Sequence, residues 1–527
     1  MFMTRIGWRA CTRLAAAGLT AGALVAAAPA VSASTQTAPV AITVNGAVRG
    51  LAAGAANEFL GIPYAAPPVG ALRWQPPQPA ASWSGVRDAT QFGPHCPQAA
   101  SPFGIASTSE NCLFLNVFTP RGGGGHPVMV WIHGGALVTG ESNDYDPTAL
   151  VADGVTVVTI NYRLGALGFL AHPALADANG QSGDYGLMDQ QAALRWVQRN
   201  IAFFGGNPRN VTIFGESAGG LSVLSQVASP QAKGLFEKAI VESGSYELTQ
   251  ASLASAEAAG EAFATKAGCA SQTAACLRSL PVSTILADQN QGDAGYEPNI
   301  NTEILPQSLG TAFATGDFNR VPIINGTNHD EWRLFVALST LAGDPVTAGN
   351  YQAMIASTLD VPAAVAAVIA AEYPLTSYPS PSVALGALGT DAIFACPALT
   401  IDESVSKFVP TFAYEFNDEN APQDFLPPVT FPYGAAHASE IQYLFGLPTA
   451  AFPPTLSASQ QQLAATMKAY WTNFAARGRP GSFGTPFWPL FNSLTQPMQS
   501  LVPPTPQTET GFAAAHRCAF WTALESA

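Results

Sequence analysis

Charged side chains are scarce in this chain. Asp, Glu, Lys and Arg make up 11% of its 527 residues, and 22 basic residues stand against 36 acidic ones. A net charge of −14 repels nucleic acid and anionic lipid, so neither is expected as a partner. Cys and His never fall at zinc-ligand spacing, and no metal is expected. Beyond residue 40 there is no long Gly/Ser-rich or charged linker and no internal repeat. The run "RGGGG" (Arg121 to Gly125) is too brief to separate domains. One large domain over residues 34–527 is therefore expected, although a rule of roughly 150 residues per domain would suggest three. After the N-terminus no stretch is long and apolar enough to be expected to span a bilayer.

The N-terminus itself is different. Arg5, Arg9 and Arg13 precede an Ala/Leu/Gly-rich run from Leu14 to Ala28, and "APAVSAS" follows. A positive start, a short apolar run and small residues have the pattern of a secretory signal peptide, expected over residues 1–33 with cleavage after Ala33. The run is shorter than the ~20 residues of a membrane anchor, and no Arg-Arg pair points to a twin-arginine route. An exported chain can hold disulfides. Of seven cysteines, Cys11 lies in the leader and six remain. Six cysteines allow 15 pairings. Sequence proximity suggests Cys96–Cys112 and Cys269–Cys276, which leaves Cys396–Cys518.

Short Val/Ile-rich runs recur between Gly, Asn and Pro. They include Val128–Gly135, Val155–Tyr162, Val211–Ser217, Lys238–Gly244, Val321–Asn328 and Thr411–Phe416. Continuous rather than alternating apolar runs fit strands buried on both faces of a parallel sheet. Helical patterns lie between them. Leu187, Leu194, Val197 and Ile201 share one face, and Gly205–Gly206 stop that helix. Alternation of this kind predicts an open α/β sheet. The Ala-rich region from about Ser339 to Ala395 reads as a helical insertion lining a gorge or lid.

In "VTIFGESAGG" (Val211 to Gly220) a strand breaks into glycines around one serine. Gly215-Glu216-Ser217-Ala218-Gly219 fits G-x-S-x-G, a strained strand-to-helix turn that projects a nucleophilic hydroxyl above the sheet. The glycines remove Cβ atoms where strand and helix backbones nearly touch. "WIHGGAL" (Trp131 to Leu137) follows another buried strand and has the form of an oxyanion loop. Gly135, Ala136 and Ala218 are the expected N–H donors. The chain order in hydrolases of this kind is Ser, acid, His. Asp330 and Glu331 in "INGTNHDEW" follow a strand end and compete for the acid. Three histidines follow Ser217. His329 adjoins the acid, and His516 falls in a terminal helix beside Cys518. His437, in "YGAAHASEIQYLFG", is the expected base. His133 is expected to pack the loop. Glu216 is expected either to act electrostatically or to be a satisfied buried acid.

Together these residues resemble the type-B carboxylesterases, the cholinesterase-like branch of the α/β-hydrolases, from about Thr43 to Trp521. "FLGIPYAAPPVGALRWQPPQP", "SENCLFLNVFTP", "NYRLGALGFL", "FGGNPRNVTIFGESAGG", "GTNHDEW" and "HASEIQYLFG" carry the resemblance. It implies an α/β-hydrolase fold: a large, mostly parallel sheet flanked by helices, with helical insertions around an active-site gorge. It favours Glu331 over Asp330. Its disulfide pattern coincides with the three pairs above. It also implies that Arg73–Glu110 and Arg163–Asp189 are buried structural ion pairs. Asn111 departs from the usual Asp or Gly, and Asp184 replaces a common Asn. Members that lost catalysis for adhesion usually lack the serine, which is present here.

The implied activity is a secreted serine carboxylesterase that needs no cofactor and acts on a small-molecule ester. In cholinesterases the first disulfide loop carries a Trp that holds quaternary ammonium. Here residues 97–111 contain Phe103 and no Trp, which disfavours choline esters and leaves short-to-medium acyl chains as the expectation. Leu137 and Trp332 are candidate pocket residues. A silent binding protein of the same fold, a peptidase, or a lipase, polyester or aryl-ester hydrolase are the alternatives.

Overall fold

The computed structural model describes residues 38–289, 296–453 and 455–525; the leader expected over residues 1–33 lies outside them. The strands are β1 (Val40–Thr43), β2 (Gly46–Arg49), β3 (Leu51–Ala53), β4 (Ala56–Pro63), β5 (Val86–Asp88), β6 (Phe114–Pro120) and β7 (His126–Ile132). They continue with β8 (Thr156–Ile160), β9 (Gly206–Glu216), β10 (Lys238–Glu242), β11 (Ile323–Asn328), β12 (Thr411–Phe416), β13 (Met498–Leu501) and β14 (Gln507–Glu509). β1, β2 and β5 form a small sheet, and the other eleven form one large sheet in the order β3-β4-β6-β8-β7-β9-β10-β11-β12-β13-β14. From β8 to β13 all neighbours are parallel. The flanking strands β14, β6, β4 and β3 pair antiparallel. The six expected strands correspond to β7 to β12 of this parallel block, which suits their continuous apolar runs.

Side-chain alternation along each strand divides the core into two layers. On β7, Val128, Val130 and Ile132 face the helices Tyr185–Asn200 and Ala218–Ala228. Met129 and Trp131 face the helix Ala458–Arg477 through Met467, Trp471 and Phe474. The predicted helix face of Leu187, Leu194, Val197 and Ile201 is fully buried. A capping box between Ser457 and Gln460 starts the helix Ala458–Arg477, and Gly478 at φ 72° ends it.

Between β11 and β12 the chain leaves the sheet and forms a third core around Leu334, Ile355, Ile369 and Leu388. This is the predicted Ala-rich insertion. Its helices Pro381–Gly389 and Cys396–Val405, joined by the π-helical turn Thr390–Ala395, run on as 25 residues with a mean hydropathy of 1.5 in one 18-residue window. The expectation that no later stretch has the length and composition of a span is thereby corrected. That window is 72% buried against the rest of the protein, as a core helix would be.

The bridges are Cys96–Cys112, Cys269–Cys276 and Cys396–Cys518, as expected. Arg73 grips Glu110 through Nε at 2.6 Å and Nη2 at 2.5 Å. Arg163 grips Asp189 at 2.7 and 2.8 Å. Bidentate geometry lets guanidinium and carboxylate satisfy each other where water is excluded. Asp184 is buried at φ 57° and accepts from the Asn299 amide at 2.9 Å and the Thr302 hydroxyl at 3.0 Å. Asn111 sits exposed beside Cys112. His516 bridges insertion and sheet, with Nδ1 2.6 Å from Asp391 Oδ1 and Nε2 2.6 Å from Glu415 Oε1.

Candidate active site

β7, β9 and β10 end level with one another, with Ile132 opposite Gly215 and Glu242 opposite Glu216. The site lies at these carboxyl ends, where parallel sheets receive ligands. Ser217 stands between β9 and the helix Ala218–Ala228 at φ 56°, ψ −124°. Such a backbone costs about 1–3 kcal/mol and persists only when its surroundings enforce it. Its N–H donates to Glu242 O at 2.9 Å. A Cβ on Gly219 would lie 2.0 Å from Ile132 O, and one on Gly215 would lie 2.5 Å from it. Only glycine lets the helix cross β7 so closely.

The loop after β7 turns back through three left-handed residues, Gly135 at φ 100°, Ala136 at 53° and Leu137 at 58°. Gly135 O accepts from the Val138 and Thr139 amides at 3.0 Å each. A Cβ on Gly134 would come 3.1 Å from Ser217 Cβ, so the loop lies directly against the serine. The Gly135 and Ala136 amides have no backbone acceptor among the described residues. Ala218 opens its helix, so its amide has no partner within the helix.

Glu331 follows β11 and is fully buried. Its Oε1 accepts from the Asn328 amide and the Thr327 hydroxyl, each at 2.7 Å. Its Oε2 meets His437 Nδ1 at 2.6 Å. Asp330 points elsewhere. It pairs with Arg333 at 2.8 Å and His329 at 3.2 Å, and its Oδ2 accepts from the Ala435 amide at 3.0 Å. Asp330 therefore ties down the loop that carries His437, while Glu331 touches the imidazole.

Among the described residues His437 Nε2 has no hydrogen-bond partner, and it lies 3.3 Å from Glu216 Oε1. The Ser217 hydroxyl does not bond to it in this structure; in free enzymes such contacts are often long and tighten with substrate. Burial disfavours the charged imidazole, but Glu216 and Glu331 outweigh it and push its pKa up to about 9. Burial pushes the Glu216 carboxyl up to about 8, against the attraction of His437. Glu440 is pushed up to about 7 by burial and by Glu331, and it accepts from Asn328 Nδ2 at 2.5 Å. Burial also raises Glu242, which accepts from Trp471 Nε1 at 2.8 Å. His133 packs as expected. Its ring stacks on Tyr162 at 4.5 Å, its Nδ1 lies 2.8 Å from Gly134 O, and burial lowers its pKa to about 4.

Ser217, His437, Gly134, Gly135 and Ala136 line one cavity of about 360 Å³ with Phe103, Leu334, Phe335, Leu338 and Phe425. Leu137 and Trp332 are not among its lining residues. The left-handed turn at Ala136–Leu137 sends Leu137 into the core at 1% exposure, and Trp332 stacks behind Phe335 at 4.4 Å. Phe335, Glu141, Asp144 and Glu440 were not singled out in the sequence. Phe335 lies four residues after Glu331, in the helix Arg333–Leu341 that begins just beyond it. Among the described residues no group of three or more His, Cys, Asp or Glu is placed to hold a metal ion.

Known proteins are similar to this chain over nearly its whole length. The model of the carboxylesterase family matches residues 36–521. Rabbit (Oryctolagus cuniculus) cocaine esterase is 37% identical over 506 residues, 90% of this chain and 92% of its own. Mouse (Mus musculus) acylcarnitine hydrolase is 36% identical over 496 residues, 88% and 86% of the two chains. Para-nitrobenzyl esterase of Bacillus subtilis (strain 168) is 35% identical over 481 residues, 87% and 93%. With a large mixed sheet of the α/β-hydrolase type and near full-length similarity to esterases, the chain belongs to the carboxylesterase family and is a carboxylic ester hydrolase.

Proposed function

We propose that the chain is an exported serine carboxylesterase working through an acyl-enzyme at Ser217. His437 takes the Ser217 proton through Nε2 as the hydroxyl oxygen attacks the ester carbonyl. Glu331 holds the imidazole by Nδ1 and stabilises its charged form. The amides of Gly135, Ala136 and Ala218 receive the oxyanion, and losing one such donor costs about 10²–10³ in rate in a serine protease of unrelated fold. The alcohol leaves with the proton, and water then splits the acyl-enzyme by the same route.

One observation carries this reading. Glu331 engages Nδ1 of His437 at 2.6 Å, while Nε2 has no partner among the described residues, and His437 lines the cavity with Ser217. The apolar side chains Phe103, Leu334, Phe335, Leu338 and Phe425 in a cavity of about 360 Å³ favour short-to-medium acyl chains. Three disulfides favour an oxidising compartment, and the leader is cleaved after Ala33. Turnover of p-nitrophenyl esters that Ser217→Ala abolishes, with an organophosphonate found on Ser217 by mass spectrometry, is the expected result. Equal turnover by Ser217→Ala refutes it. An acyl-length series and N-terminal sequencing of the exported protein test the two finer statements.

A further inference from the structure

We propose that Gln98 is a positioning residue of the reaction: its buried side-chain amide clamps the far arm of the loop whose Gly135 and Ala136 amides receive the oxyanion. The proposal rests on the esterase reading and names what keeps its donors aimed.

The turn at Gly135, Ala136 and Leu137 has φ of 100°, 53° and 58°. A Cβ makes that left-handed region costly for Ala and Leu, so the turn persists only where its surroundings enforce it. One end is held by the core, since Leu137 is buried and its carbonyl accepts from the Gly165 amide at 2.7 Å. The other end, Thr139–Gly140, folds back against the donors. A Cβ on Gly135 would lie 2.2 Å from Thr139 O, and one on Gly140 would lie 2.6 Å from Gly134 O. In so close a packing, a shift of this arm moves the amides it rests on.

Gln98 holds the arm. It lies in the loop closed by Cys96–Cys112 and is 1% exposed. Its Oε1 accepts from the Gly140 amide at 2.8 Å and from the Thr139 hydroxyl at 2.7 Å. Its Nε2 donates to Gly140 O at 3.1 Å. The side chain thus meets both the N–H and the C=O of Gly140, as a neighbouring strand would. The amide is itself carried on a fixed rung, because Gln98 and Ser107 exchange two backbone bonds at 3.0 Å each. Ser101, on the same loop, adds a hydroxyl bond to Thr139 Oγ1 at 2.9 Å. Glutamate at this position keeps both acceptor bonds and loses the donor. Leucine keeps none and leaves the buried Gly140 amide without its acceptor.

Gln98→Leu and Gln98→Glu are compared with the parent on p-nitrophenyl butyrate, with active sites counted by titration. Gln98→Leu should lower kcat about tenfold to a hundredfold, short of the 10²–10³ for a deleted donor, while KM stays within about threefold. Gln98→Glu should fall between parent and Gln98→Leu. The same factor should appear in the affinity for an aryl trifluoromethyl ketone, whose carbonyl takes up the Ser217 oxygen and becomes an oxyanion. A residue that only supports the fold would lower the urea midpoint and leave kcat and ketone affinity per active site unchanged. That result overturns the proposal, as does a rise in KM that accounts for the whole loss. If Gln98→Leu does not fold, Gln98→Glu decides: kcat and ketone affinity both within about twofold of the parent overturn the clamp. Ser217→Ala keeps the two readings apart. Turnover that survives it overturns the esterase reading and the clamp together. An active parent, an inactive Ser217→Ala and unaffected Gln98 variants overturn the clamp alone.

Discussion

Replacing Asp184 with Asn should stabilise the fold by an amount that depends on pH. The side chain is fully buried at the left-handed start of the helix Tyr185–Asn200. Burial raises its pKa from 3.8 to about 7, even though the Asn299 amide and the Thr302 hydroxyl favour the charged form. The folded pKa lies above the unfolded one, so the fold prefers the protonated acid. The contribution of Asp184 is whole below 3.8 and is lost as pH rises toward about 7. Above that window the loss approaches about 4 kcal/mol, at 1.36 kcal/mol per unit. Asn is nearly the same size and carries no charge. Its oxygen can keep the Asn299 bond. Thr302 Oγ1, which already accepts from the Leu305 amide at 2.9 Å, can turn to accept from the new NH₂. Urea unfolding of both proteins at about pH 4.5 and about pH 8 should give a gain of about 1 kcal/mol at the lower pH and about 4 kcal/mol at the higher. An equal gain at both values, or a loss at the higher one, would refute the reasoning.

The site offers three more tests. Glu331→Gln should cut kcat by about 10³–10⁴, because an NH₂ facing Nδ1 imposes the wrong imidazole tautomer, with circular dichroism unchanged; activity within about tenfold of the parent would remove Glu331 from the mechanism. Glu216→Gln removes the carboxylate 3.3 Å from His437 that holds its pKa up. The imidazole then sheds its proton at lower pH, so the acidic limb of kcat/KM should move to lower pH; no movement, or movement upward, contradicts this. Gly219→Ala drives a Cβ into Ile132 O at 2.0 Å. A loss of about 3 kcal/mol or failure to accumulate folded protein is expected, and an unchanged urea midpoint would count against the close crossing.

The parallel block was legible because β8 and β10 are buried at every position, which leaves continuous apolar runs. The edge strands left no such mark. β5 is exposed throughout and β14 nearly so, and each is three residues long. Ser217 and the loop after β7 stood out because their glycines are demanded by backbone approach. The choice between Asp330 and Glu331 could not be made from position, since the two are adjacent. It came from the resemblance, and the structure puts Glu331 on His437 and Asp330 on Arg333. The pocket walls were hidden for a different reason. Leu137 directly follows Gly135 and Ala136, yet a left-handed turn invisible in an Ala-Leu pair points it away. Glu141 and Asp144 are two ordinary acids until burial removes their solvent.

Chimeras that exchange the roof of the cavity among relatives must carry more than the segment 333–405. Asp391 and Cys396 in that segment are wired to His516 and Cys518, more than a hundred residues downstream. A transplanted roof without its matching tail would part Asp391 from His516 and Cys396 from Cys518. The two pieces, distant in the chain, form one transferable unit.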